Sequence, residues 1–247
     1  MSDAREQELL ALENPPRTPL ARLLSRAEEW IYELNAREHP IFRLYDAGNA
    51  LWARLAFRGA RRRLRKFEAR VHTKGGREAV MRWIPPDRDW ELAELFEHFD
   101  FPYLPPHPLD RAAVRRVLEA PHCIALGIYG PQGQLFGYSL IRLFFPRRAV
   151  MGMWIHSNAH TRGLGQICSY ATTRLTNSEG LPNFITIPRD NVASLRAVLW
   201  SGWRILRTNR RFHVLLHDGR SAPPPGATLE CRFADGRVLR EQGPAEG

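Results

Sequence analysis

Residues 150–166, VMGMWIHSNAHTRGLGQ, decide how this chain is read. Val150 to Ser157 has the apolar, aromatic-rich make-up of a strand. The polar stretch after it ends in His160-Thr161-Arg162-Gly163-Leu164-Gly165-Gln166, and from Gly163 to about Ser178 the spacing becomes helical. A strand that passes through glycines into a helix presents free backbone N–H groups and about half a positive charge at the helix start. Gly163 and Gly165 allow an anion the size of a diphosphate to come close to those amides. The same glycines also suit a tight strand-to-helix turn with no ligand at all.

The neighbouring segments give the frame. Upstream, His122–Tyr129 and Gln134–Phe145 flank the turn Gly130-Pro131-Gln132-Gly133 and predict a hairpin. Farther upstream, Ala79–Ile84 reads as a strand stopped by Pro85-Pro86. Trp90–Phe99 and Asp110–Glu119 read as short helices. Downstream come a strand at Asn183–Ile187, a helix at Asn191–Trp200, and a hairpin of Trp203–Thr208 and Arg211–His217. The order β-α-α-β-β-β-α-β-α-β-β predicts an α/β domain over residues 77–217, a mixed central sheet flanked by helices.

Outside that domain, residues 1–16 read as a disordered lead-in and 17–76 as a helical N-terminal segment. In the latter, Thr18 caps a helix over Pro19–Ala36, and a second helix is expected from Leu44 to Val71 with Leu51, Leu55, Leu64, Phe67 and Val71 on one face. Its other faces carry Arg54, Arg58, Arg61, Arg62, Arg63, Arg65, Lys66 and Arg70, so the pair predicts a basic helical hairpin. Residues 218–247 are expected to form a flexible tail with a late strand pair around LECRF and RVLRE.

Composition narrows the function. The 247 residues carry 36 Lys and Arg against 26 Asp and Glu, a formal charge of +10, with 44% apolar residues. That profile excludes a disordered protein. No apolar run reaches the roughly 18 residues a bilayer requires, and the N-terminus lacks a secretory apolar core, so a cytoplasmic protein is expected. Cys123, Cys168 and Cys231 are widely spaced, which indicates neither a disulfide framework nor a metal site.

A second motif converges with the first. Asn191, Ser194, Gly202 and Trp203 form N-x-x-S-x7-G-W on the helix that lies one strand after the glycine loop. With His160-x-x-Gly163-x-Gly165, this resembles the GNAT superfamily of acyl-CoA N-acyltransferases, over about residues 77–217. The family usually has Arg or Gln where this chain has His160, and Phe where it has Trp203. The resemblance implies a GNAT-like sheet and an acetyl-CoA-dependent N-acetyltransferase. It places the diphosphate of the co-substrate on His160, Arg162, Gly163, Leu164, Gly165 and Gln166, with Asn191 in the same binding set. The pantetheine arm would run along the strand that carries Ile155.

The chain departs from the family at its acid and base. Where many members have a tyrosine, seven residues after the motif asparagine, this chain has Val198. Ser194 is then the expected hydrogen-bond donor to the leaving sulfur, and a helix cap is its alternative role. No Asp or Glu occurs between Glu119 and Glu179, so no carboxylate base lies on the central strands. His156 is the expected base, with His122 behind it and Asp190 and His217 as further strand-end groups. Arg142, Arg147, Arg148, Arg162 and Arg174 lie in the same acid-free stretch, which favours a small-molecule amine that is anionic or nucleotide-linked. Mutation of Arg142 or Arg147 is expected to raise the KM for such an acceptor. The Arg-rich helix over 51–71 suggests contact with RNA or with an anionic membrane surface, the latter through Trp52, Leu55 and Phe57. The competing function is a non-catalytic acyl-CoA-binding or docking module on the same fold.

Overall fold

The computed structural model describes residues 18–36, 40–98, 110–145, 147–156, 163–217, 219 and 221–245. Ten strands form one sheet: β1 (Glu68–His72), β2 (Glu78–Trp83), β3 (Cys123–Tyr129), β4 (Leu135–Phe144), β5 (Arg148–Ile155), β6 (Asn183–Pro188), β7 (Trp203–Thr208), β8 (Phe212–His217), β9 (Thr228–Arg232) and β10 (Val238–Gln242). Their order is β10-β9-β1-β2-β3-β4-β5-β6-β8-β7, with every pair antiparallel except β5 and β6. The helices are α1 (Pro19–Ala36), α2 (Pro40–Ala56), α3 (Arg58–Leu64), α4 (Asp89–Glu97), α5 (Arg111–Glu119), α6 (Leu164–Ser178) and α7 (Val192–Trp200). None of the described helices is long and apolar enough to cross a membrane.

The central strands are apolar on both sides because both faces of the sheet are covered. In β3, Ile124, Leu126 and Ile128 pack with α6 and with Ala53, Phe57 and Leu64 of the α2–α3 region. The alternate residues Cys123 and Ala125 join Tyr138 and Leu140 of β4 under Leu92 and Leu95 of α4 and Val114 and Leu118 of α5. A third cluster joins α7 to β5, β6 and β8 through Met151, Ile185, Leu195, Val198 and Leu215.

Three expectations about the flanking segments change. The helix foreseen from Leu44 to Val71 ends at Leu64, and Glu68–His72 is a strand. Phe67, Ala69 and Val71 are buried while Glu68, Arg70 and His72 are not, a two-residue period that the helical spacing of Leu64, Phe67 and Val71 had hidden. Register with β2 fixes it, with Ala69 opposite Met81 and Val71 opposite Ala79. The packed face of the α2–α3 region is also different, since Leu51 and Leu55 are 60% and 73% exposed whereas Phe57 is fully buried. Trp52 packs edge-on against Phe145 at 5.1 Å. Of the three residues foreseen against lipid head groups, only Leu55 is on the surface, and there is no continuous 51–71 helix to carry that contact.

The third change concerns the tail. Residues 228–242, expected within a flexible tail, add β9 and β10 to the sheet beside β1, with Leu229 opposite Val71 and Cys231 opposite Ala69. The late strand pair is therefore present, and it closes over α6: Arg174 donates from Nε to Glu241 Oε2 at 3.0 Å and from Nη1 to the Gly219 carbonyl at 2.9 Å. The lead-in 1–16 lies outside the described residues. Helix α1 is tied to the turn between β7 and β8, where Glu33 pairs with Arg211 at 2.7 Å and Glu29 accepts from the Arg210 amide at 2.8 Å.

Gly137 tests the closeness of β4 and β5. A Cβ there would lie 2.2 Å from the Trp154 carbonyl oxygen and 2.7 Å from the Ile155 Cα, backbone atoms that cannot swing aside. Gly137→Ala is expected to cost about 2 kcal/mol or more, lowering Tm by roughly 4–8 °C in thermal melts. Gly48→Ala, in α2 with no atom within 4 Å of its Cβ, is expected to be neutral or to stabilise by up to about 1 kcal/mol.

Candidate functional site

The parallel contact of β5 and β6 is short. It covers Ala149 opposite Asn183 and Val150 opposite Phe184. Beyond Val150, β5 stays with β4 as far as Ile155 opposite Gly137, and the His156 amide extends that ladder by donating to the Phe136 carbonyl at 2.7 Å. Strand β6 stays instead with β8 as far as Pro188 opposite Phe212. The facing edges of Met151–Ile155 and Ile185–Pro188 therefore part, opening a wedge between two strands that run the same way. Met151 and Met153 lie on the α7 side of this wedge with Ile185 and Val198.

Helix α6 starts at the wide end of the wedge. Its N-cap is Gly163, at φ 96°, a left-handed conformation that strains any residue with a Cβ. Gly163 has no side chain with which to cap this terminus, and the first-turn amides of Leu164, Gly165 and Gln166 have no acceptor within the helix. A Cβ at Gly165 would meet Ile155 Cδ1 at 3.6 Å, which shows how closely the first turn rests on the end of β5. Gly163, Leu164, Gly165, Gln166 and Ile155 are thus gathered at one place. His160 and Arg162 lie outside the described residues.

The sequence reading missed one element here. The turn between β1 and β2, Thr73–Arg77, reaches the same terminus, with the Thr73 Cβ 3.9 Å from the Cβ position of Gly163. It is a closed turn in which the Thr73 amide donates to the Arg77 carbonyl at 2.8 Å, and it carries Lys74 and Arg77. Arg77 lies over the Phe136 ring at 5.4 Å, next to the carbonyl that holds His156. The signal is the Thr-Lys-Gly-Gly-Arg string at 73–77, which lies just past the end of the helix expected over Leu44 to Val71.

The second motif has a structural account. Asn191 caps α7: its Oδ1 accepts from the Ser194 amide at 3.1 Å, and its own amide donates to the Pro188 carbonyl at 3.0 Å. The cap is Asn191 rather than Ser194, which leaves the half-buried Ser194 hydroxyl free of that duty. Gly202, at φ 86°, has Ser221 Cβ 2.2 Å from where its own Cβ would be. Trp203 donates from Nε1 to Ser169 Oγ at 3.3 Å, locking β7 onto α6. Because β5 and β6 are parallel, His156 and Ser194 come to the same end of the sheet, His156 just past β5 and Ser194 in the first turn of α7.

The other candidates separate from this place. His122 lies at the opposite end, before Cys123, which pairs with Arg142. It is buried, and its Nε2 is 2.9 Å from Asp46 Oδ1. Burial works against its charge, but the hydrogen bonds to Asp46 and Cys123 outweigh it and raise the pKa to about 9, so at neutral pH His122 is a cation and not a base. His217 is spent on structure: Nδ1 accepts from the Gly219 amide at 2.9 Å, and Nε2 lies 2.9 Å from the Ser201 carbonyl and 2.8 Å from Ser221 Oγ. Asp190 is exposed. Arg174 is compensated by Glu241, a carboxylate 67 residues away that the acid-free stretch did not reveal. Among the described residues no cluster could hold a metal ion.

The His122–Asp46 pair has a definite pH signature. The folded pKa of His122 is above its free value of 6.5, so its contribution is complete below about pH 6.5 and is lost as pH rises through about 9. Asp46 is shifted down, chiefly by its hydrogen bond to His122, so its contribution is lost only in acid, as pH falls through that lowered value. Asp46→Asn is expected to destabilise by about 1–3 kcal/mol at pH 7 and by much less at pH 10 in denaturant titrations.

No protein-family model matches the sequence, and no curated protein matches it. Solved structures do match the fold. The GNAT domain of S. lividans PAT superimposes with a TM-score of 0.53 at 16% identity, over 60% of this chain and 94% of that one. An acetyltransferase of the GNAT family from Streptococcus pneumoniae gives 0.45 at 13% identity, over 56% and 99%. The PaiA N-acetyltransferase of Thermoplasma acidophilum, solved in complex with coenzyme A, gives 0.47 at 11% identity, over 56% and 98%. At such identity it is the fold that is shared, and the sheet with its parted β5 and β6 is a GNAT fold.

Proposed function

We propose that this chain is an acetyl-CoA-dependent N-acetyltransferase whose acceptor is a small anionic or nucleotide-linked amine. The observation that carries the reading is the wedge between β5 and β6, with the first turn of α6 at its wide end. The first-turn amides of Leu164, Gly165 and Gln166 suit the diphosphate of the co-substrate. The glycines fit that role, because Gly163 needs its left-handed backbone and Gly165 leaves the helix start in contact with Ile155. His160, Arg162 and the cations of the 73–77 turn would add charge for the phosphates. The edge of β5 that faces the wedge would hold the pantetheine amides, and Asn191 would keep α7 in place beside them.

The thioester supplies the acyl group. Attack by the amine nitrogen forms the C–N bond and breaks the C–S bond. His156 takes the proton lost at nitrogen, and Ser194 donates a hydrogen bond to the departing sulfur. The proton held by His156 returns to the departing thiolate through solvent, so one N–H and one C–S bond are exchanged for one C–N and one S–H bond. Val198 packs in the apolar cluster with Met151, at the position where the resemblance would put a tyrosine. That substitution, together with the lack of an acid on β5, favours a second reading, an acyl-CoA-binding module without turnover.

Calorimetry and thiol release separate the two. Coenzyme A is expected to bind the native chain with measurable heat, and Gly165→Leu, melting as the native protein does, to weaken binding at least tenfold. Thiol release from acetyl-CoA across a panel of anionic amines is expected, and His156→Gln should lower kcat about 100-fold with KM for the co-substrate unchanged. Binding without release on any amine would establish the second reading, and no heat at millimolar coenzyme A would remove both.

A further inference from the structure

On the α4–α5 face of the sheet, next to β5, lies an apolar cavity of about 80 Å³. Phe96, Val114 and Leu118 wall it, and Leu140, Tyr138 and Trp154 form its floor. The floor is rigid. The Tyr138 and Trp154 rings stack at 4.9 Å, and the Trp154 ring reaches back over Gly152, where a Cβ would meet its Cη2 at 2.4 Å. A wall of this kind takes the apolar part of a small ligand, with room for on the order of three non-hydrogen atoms.

One charged side chain lines the cavity, Arg142 of β4. It is half-buried, and among the described residues no carboxylate is in ion-pair contact with it. The acid whose charge senses it is Asp46, and that carboxylate is engaged by His122 at 2.9 Å. The contrast with other arginines is informative: Arg63, Arg111 and Arg174 pair with Glu179, Asp89 and Glu241. A guanidinium at the rim of an apolar chamber is fitted to a planar anion, which it can hold by two parallel hydrogen bonds. A nucleotide would place its phosphates and sugar against Phe96, Leu118 and Leu140, which offer no polar partner.

We infer that this cavity takes a short-chain amphipathic carboxylate, its alkyl body between α4, α5 and the Tyr138–Trp154 floor and its carboxylate on Arg142. The cavity borders β5 on the face opposite Met151, Met153 and Ile155, so this site is separate from the wedge.

Titration calorimetry on the full chain with butanoate and its neutral isostere butanamide tests the site. Butanoate is expected to bind saturably at millimolar concentration, at least tenfold tighter than butanamide. Arg142→Met, which keeps the apolar stem, should abolish that preference, and Ala125→Leu, which fills the chamber, should abolish both heats. Equal binding of the two probes, or binding of neither, overturns the inference.

Discussion

The separation of β5 from β6 after two residue pairs is the constraint on which the rest of the molecule depends. A parallel pair that continued in register would bury its amides and carbonyls in a ladder and leave nothing for a ligand to bond. What holds the strands apart is their commitment to other partners. Strand β5 is tied to β4 over eight residue pairs, Arg148 to Ile155, and β6 to β8 over six, Asn183 to Pro188. The clusters on either side fill the flanks: α6 packs against β4 and β5 through Ile155 and Ile167, and α7 packs against Met151 and Ile185. Each strand could close the gap only by giving up an antiparallel ladder and a packed face together, which outweighs a few parallel bonds.

The segments that precede β2 and follow β8 support this arrangement. Strands β1, β9 and β10 extend the sheet beyond β2 and so bring both the 73–77 turn and Glu241 onto α6. The helix whose first turn is the candidate anion site is held along its length. Gly163 and the Thr73 turn are at one end, Trp203 is on Ser169, and Arg174 is clamped by Glu241 and the Gly219 carbonyl. A binding site built from backbone amides has little side-chain adjustability. Its geometry is therefore set by how firmly the helix is seated.

Legibility in the sequence followed the uniqueness of the periodic signal. Strands β3 to β6, the β3–β4 turn and α6 were readable because long apolar runs are bounded by glycine and proline, and because their order matches a single architecture. Strand β1 was not, since Phe67 and Val71 fit a helical face as well as a strand face and only pairing with β2 and β9 decides between them. The same limit applied to charge. The stretch from Glu119 to Glu179 has no acid, yet Arg174 lies beside Glu241 because a strand 67 residues later folds back. His122 looked like a base until Asp46, on a helix whose face had been misassigned, proved to be its partner. At the candidate site, the glycines, Ile155 and the α7 motif could be read from sequence, whereas the Thr73–Arg77 turn reaches it through tertiary pairing.

The Asn-x-x-Ser and Gly-Trp strings show how a motif can be informative about a fold for reasons unconnected with chemistry. Asn191 is required because the chain leaves β6 at Pro188 and must begin α7 three residues later, and its side chain supplies the one acceptor that the Ser194 amide needs. Gly202 is required because Ser221 occupies the space of its Cβ, and Trp203 because its indole reaches Ser169 in α6. Both ends of α7 are thereby fixed to the elements that border the wedge. The side chain left without such a structural assignment is the Ser194 hydroxyl, at the end of the sheet where His156 also lies. Met151, Met153, Ile185 and Val198 make the α7 side of the wedge apolar, so polar groups for any ligand there come from the ends of its walls, where the first turn of α6, His156 and Ser194 lie.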